Sequence, residues 1–307
     1  MPDAARPAPR LFLDARAELV ESPVWDADHG VLWWTDITRG QLHRTTVDGQ
    51  DDVRQVDPPL PSFQLREGGG FVAALEDRVV VLEPDGTEAT TLATVEHAHD
   101  GMRFNEGKCD PFGAFVVGSM DDEEGAEDGL LYRVTGDGGV VVLADGFGTT
   151  NGLEWDDEGS VVYVTDTGDE TIYRAPYGPN GITGDLEPFT GGSAHDGLVR
   201  DSLGDFWGAV FGEGVVVHLD PEGRLVEKVA FPVPQLTGIA FGGDDLRTLF
   251  VGSSREGMDD AALAEHPTSG GVFAVEVDRA GLPPHRFAAG TTRPSGAEGA
   301  PRPTADA

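Results

Sequence analysis

Three oxygen-bearing side chains stand in matching surroundings, far apart along the chain. Glu21 precedes Ser22-Pro23-Val24-Trp25, Asn151 precedes Gly152-Leu153-Glu154-Trp155, and Asp196 precedes Gly197-Leu198-Val199. Two carboxylates and an amide carbonyl form an all-oxygen set, which suits a hard divalent cation such as Ca²⁺, Mg²⁺ or Mn²⁺. Brought together without a cation, the two carboxylates would repel, and one would hold its proton to a higher pH. Spacing alone leaves a plainer reading open, in which Asn151 caps a turn and the two acids are solvated, because Asp and Asn are ordinary turn residues. A second polar group, Arg103-Phe104-Asn105-Glu106-Gly107-Lys108, lies just ahead of the turn Asp110-Pro111-Phe112-Gly113. There, Pro presets φ and Gly accepts a positive φ.

A shared site needs a fold that gathers residues lying whole repeats apart. Short apolar runs at 32–36, 70–74, 115–119, 161–166, 206–210 and 249–253 recur at a spacing of roughly 45 residues, the period of a four-stranded propeller blade. Most follow a turn rich in Asp and Gly, and a further strand follows each run. The expected fold is all-β, a six-bladed β-propeller, in which loops feeding the innermost strands converge on the central channel. Residues 11–13 are expected to add a strand to the last blade and lock the circle. Residues 258–265 could make one short helical turn. The expected organisation is a disordered 1–10, a propeller over 11–290 and a disordered, Pro- and Gly-rich tail over 291–307.

Composition narrows the partners. Among 307 residues, Asp+Glu number 55 against Lys+Arg 21, for a net charge of -34. Such a surface repels nucleic-acid phosphates and anionic membranes. No apolar stretch reaches the roughly 20 residues of a membrane span. A lone cysteine, Cys109, allows no internal disulfide, and the first ten residues lack the apolar core of a signal peptide. A cytoplasmic protein is expected.

The motifs resemble those of the SMP-30/gluconolactonase family of sugar-lactone hydrolases, which includes regucalcin. They run in order from Glu21-Ser22-Pro23-Val24-Trp25 through Arg103–Lys108, Gly118-Ser119-Met120, Asn151-Gly152-Leu153, Asp196-Gly197-Leu198 and the 237–243 stretch to 270–273. The resemblance implies a six-bladed propeller with one catalytic divalent ion, of Ca²⁺, Zn²⁺, Mn²⁺, Fe²⁺ or Mg²⁺, in the channel. It implies Glu21, Asn151 and Asp196 as the metal ligands, with Asp196 also the catalytic base. It implies Arg103, Asn105 and Glu106 as substrate contacts, and Glu123 as a further acid toward substrate. The implied substrate is a sugar lactone such as glucono-1,5-lactone, and the protein a monomer or weak homo-oligomer. His195 departs from the family, which usually has Pro there, and could bring an imidazole near the site. Two alternatives remain: another ester or phosphotriester hydrolase on the same ring, or a non-catalytic protein that binds a cation or metabolite.

Other chemistry-bearing residues read as structure. Cys109 has no adjacent base and is expected to be a packed thiol. Trp25, Trp33, Trp34, Trp155 and Trp207 recur near strand starts, as blade packing would require. The triplet 68–70 is not a phosphate loop, since no Lys-Ser/Thr or helix follows it. There is no Gly-x-Ser-x-Gly nucleophile motif.

Overall fold

The structure, a computed structural model, describes residues 7–56, 59–122 and 125–288. Strand β1 (Arg10–Leu13) comes first. Blade 1 follows as β2 (Val20–Asp26), β3 (Val31–Asp36), β4 (Gln41–Thr46) and β5 (Asp51–Gln55). Blade 2 is β6 (Ser62–Leu65), β7 (Phe71–Leu75), β8 (Arg78–Leu82) and β9 (Glu88–Thr94). Blade 3 is β10 (Met102–Cys109), β11 (Phe115–Asp121), β12 (Gly129–Val134) and β13 (Val140–Phe147). Blade 4 is β14 (Thr150–Trp155), β15 (Val161–Asp166) and β16 (Thr171–Gly178), flanked by β17 (Gly181–Ile182) and β18 (Glu187–Gly191). Blade 5 is β19 (His195–Arg200), β20 (Phe206–Val210), β21 (Val215–Leu219) and β22 (Leu225–Ala230). Blade 6 holds β23 (Leu236–Gly242), β24 (Thr248–Ser253) and β25 (Val272–Glu276), and β1 completes it by pairing antiparallel with β25.

This is the expected six-sheet ring, closed by the N-terminal strand. Arg10, expected in the disordered leader, is the first residue of β1, and residues 291–307 lie outside the described residues. The second strand of every blade coincides with one of the apolar runs. The reason is burial on both faces: β3, β7, β20 and β24 are buried at every position. The core is accordingly a set of six wedges between adjacent blades, not one central mass. Trp33 packs with Phe63 and Phe71 between blades 1 and 2, and Trp155 packs with Phe147 and Leu131 between blades 3 and 4.

Among the described residues, one helix interrupts the strands. α1 (Asp260–Glu265) is capped by Asp259, whose carboxylate accepts from Ala262 N at 2.8 Å. Among the described residues, no helix is long and apolar enough to cross a membrane.

Candidate active site

The innermost strands share a local device. In β2, β10, β14, β19 and β23, the pairing with the second strand slips by one residue, after Glu21, Phe104, Thr150, His195 and Leu236 respectively. Such a β-bulge sets two residues against one and re-aims a side chain. Asn105, Asn151, Asp196 and Thr237 are each the first residue inside the slip. Glu21 holds the same place in blade 1, as its relation to Asp36 matches that of Asn151 to Asp166. These two aspartates end the second strands and clamp the incoming backbone. Glu18 N donates to Asp36 Oδ2 at 2.9 Å, and Gly148 N and Thr149 N donate to the Asp166 carboxylate, both at 2.9 Å.

The residue after the site residue sets how closely the strands approach. A Cβ on Gly152 would lie 2.5 Å from Leu198 Cβ, and one on Gly238 would lie 2.4 Å from Pro23 Cδ and 2.8 Å from Glu21 Oε2. Only glycine permits that contact. In blade 1 the corresponding Ser22 bends instead, at a left-handed φ of 47°. Its N–H donates to Glu21 Oε2 at 3.2 Å, and its hydroxyl donates to Pro61 O at 3.3 Å.

The structure brings Glu21, Asn105, Glu106, Asn151 and Asp196 to one level of the channel. Glu21, Asn105, Asn151 and Asp196 are 6%, 8%, 5% and 6% exposed. Asn105 Nδ2 donates to Asn151 Oδ1 at 3.0 Å and to Thr150 O at 2.8 Å. Asn151 Nδ2 donates to Thr167 Oγ1 at 2.8 Å, which turns Oδ1 toward Asn105 and leaves one lone pair free. Arg103 Nη1 donates to Asn105 Oδ1 at 2.8 Å, and its Nη2 pairs with Asp122 at 3.0 Å. The carboxyls interact strongly. Burial, then the charges of Asp196 and Glu106, push Glu21 well above the carboxylate range. Burial, then Glu106, does the same to Asp196. Glu106 is pushed up to about 7 by burial; Lys108 opposes the rise and Glu154 adds to it.

Asp196 Oδ1 and Glu106 Oε2 are buried without a hydrogen-bond partner. Buried oxygens left in that state are costly unless something else satisfies them. Three carboxyls and two amide oxygens gathered at one depth fit a hard divalent ion by donor chemistry. A second group, Asp201, Asp205 and His218, has donor atoms within 4.8 Å of one another in blade 5. Its atoms are already bonded within the blade: His218 Nε2 to Asp205 at 2.8 Å and Trp207 Nε1 to Asp201 at 3.1 Å. Trp207 stacks on His218 there, as Trp34 stacks on His43 in blade 1, so the Trp–His pair is a recurring packing unit.

Several expectations change. Glu106 joins the carboxyl cluster itself, beside Glu21 and Asp196. The imidazole of His195 does not face the channel: a Cβ on Gly208 would lie 2.9 Å from its Nδ1, so the ring packs into blade 5. Alternation along β19 accounts for this, since Asp196 takes the channel side. Cys109 is the packed thiol expected: it is fully buried, and burial pushes its thiol well up, away from nucleophilic use. Glu123 lies outside the described residues. Sequence reasoning does not single out Thr237, whose hydroxyl donates to Val20 O and ties blade 6 to the strand carrying Glu21. A signal for it exists: Thr237-Gly238 matches Asn151-Gly152 and Asp196-Gly197.

The fold and site together define a six-bladed propeller with an all-oxygen cluster in its channel. Residues 19–255 match the family described as SMP-30/Gluconolactonase/LRE-like region, and the chain belongs to that family. It is similar to 6-deoxy-6-sulfogluconolactonase of Pseudomonas putida, 37% identical over 88% of this chain and 95% of that protein. It is also similar to regucalcin of Gallus gallus, 34% identical over 89% of this chain and 96% of that protein. A crystal structure of regucalcin from Agrobacterium tumefaciens, described as a calcium-binding protein, superposes with a TM-score of 0.86 at 27% identity, covering 91% of this chain and 97% of that one.

Proposed function

We propose that the protein hydrolyses a sugar-derived lactone, of the glucono-1,5-lactone kind, to its aldonic acid with one divalent ion in the channel. The observation that carries this reading is the meeting of Glu21, Glu106 and Asp196 at one buried level, with two of their oxygens unpartnered. Glu21, Asn151 and Asp196 would hold the ion, and Asn105 orients the Asn151 carbonyl by its hydrogen bond. When bound, a divalent ion polarises a lactone carbonyl and eases ionisation of water. Asp196 Oδ1 takes the proton of the attacking water and returns it to the ring oxygen as the C–O bond breaks. Arg103, at the margin of the cluster, donates to the lactone oxygen and steadies developing negative charge. No covalent intermediate on the protein is needed.

The lactonase names of relatives support the substrate class, and the calcium-binding description of the Agrobacterium tumefaciens protein supports a divalent ion. The single buried cysteine supports a reducing, cytoplasmic setting. The direct test follows acid release from gluconolactone. Chelator-treated protein should lose turnover and regain it with Mn²⁺ or Ca²⁺. Hydrolysis no faster than the spontaneous rate with every ion would remove the lactonase reading, and retained ion binding would then favour a binding protein.

A further inference from the structure

Among the described residues, isolated bridges such as Met120–Thr149 cross between blades, but no ladder joins β10 to β14 or β14 to β19. Those three strands nevertheless carry Asn105, Asn151 and Asp196, whose separation decides whether an ion fits. One side chain spans all three. From β10, Lys108 Nζ donates to Glu154 Oε2 of β14 at 3.1 Å and to Leu198 O of β19 at 3.0 Å. Each of these contacts lies two or three residues further along its strand than the site residue of that strand. Past this level the channel opens into a cavity of about 450 Å³, lined by Lys108, Glu154, Trp25, Val199 and Phe241. Packed side chains therefore do not fill the channel immediately beneath the carboxyl cluster.

We propose that Lys108 is a positioning residue: its ammonium ties the strands bearing Asn105, Asn151 and Asp196 together and holds their oxygens at ion-binding separation. The proposal rests on the metal-site reading above. The Lys108 ammonium bonds to Glu154 and to Leu198 O, not to Glu21, Asn151 or Asp196. Its side chain and that of Glu154 are only 19% and 16% exposed, so the pair is shielded enough to act as a fixed strut. Supports of this kind behind a metal ligand set are worth ~10–100-fold in affinity.

The test is calorimetric titration of the chelator-stripped full chain with Mn²⁺, beside its melting temperature without metal. Lys108→Met leaves Glu154 buried and unpaired, and should lower both metal affinity and melting temperature. The double variant Lys108→Met/Glu154→Met replaces the pair with apolar bulk, and should recover melting without metal. Its Mn²⁺ affinity should stay ~10–100-fold below wild type. Arg78→Met breaks the Arg78–Glu88 pair between β8 and β9 of blade 2, strands that carry no site residue, and should leave Mn²⁺ affinity unchanged. Wild-type Mn²⁺ affinity in the double variant overturns the proposal, as does equal weakening by Arg78→Met. A wild-type protein that takes up no ion overturns the metal-site reading itself, and this proposal with it.

Discussion

His195 and Asp196 are chain neighbours with opposite surroundings, and burial acts on them with opposite sign. Burial raises the Asp196 carboxyl, while it lowers His195 from 6.5 to about 4, with Glu213 opposing and Lys228 adding. A folded imidazole with a depressed pKa binds fewer protons than the unfolded one between pH 4 and pH 6.5. Stability from this group is therefore full above about pH 6.5 and is lost as pH falls through that window. The shift corresponds to about 3 kcal/mol at its limit. Melting curves of His195→Gln and wild type should converge toward pH 4; parallel curves across the window would contradict the buried neutral imidazole. Arg103 makes a different residue-scale case. It bonds to Asn105 and Asp122 but to none of the three metal-ligand candidates. Arg103→Ala should raise KM for gluconolactone by about tenfold or more and leave ion affinity within a few-fold. A large loss of ion binding would contradict its role.

At the scale of the element, the bulge is what the site depends on. Regular alternation would send Asn105 and Glu106 to opposite faces of β10. The slip between Phe104 and Gly107 lets both reach the channel side. This is why the three ligand candidates were legible in the sequence and the place of Glu106 was not. The ligand candidates share a frame with a Gly-Leu or Ser-Pro directly after them, whereas the bulge at Asn105 has Glu106 in that place and lacks the frame. The glycines beside the site residues are part of the same construction. Gly238→Ala would drive a methyl into Pro23 and Glu21 Oε2, costing about 1–3 kcal/mol. Displacing Glu21 should also weaken ion binding, checked by melting and titration together. A variant with wild-type values in both would show that β2 and β23 need not approach so closely.

Across the whole molecule, legibility followed burial. The second strands are buried on both faces and read as apolar runs, so their period exposed the ring. Outer strands such as β5, Asp-Asp-Val-Arg-Gln, and β9 are largely exposed, carry no apolar pattern, and were invisible until seen in place. The short, unbulged β6 is hidden in the sequence for a related reason: Ser62 and Gln64 interrupt its apolar pattern, though all four of its residues are buried. Closure by β1 was readable because 11–13 had no partner in the first repeat. The ring makes the chemistry possible by putting residues from blades 1, 3, 4 and 5 at one depth.

The central claim is that this convergence holds one divalent ion. Titrating chelator-stripped protein with Mn²⁺ measures it most directly. The account predicts one tightly held ion per chain in wild type, and no such binding in an Asp196→Ala variant that still melts near the wild-type temperature. Undiminished, one-to-one binding in that variant would place the ion elsewhere and contradict the account.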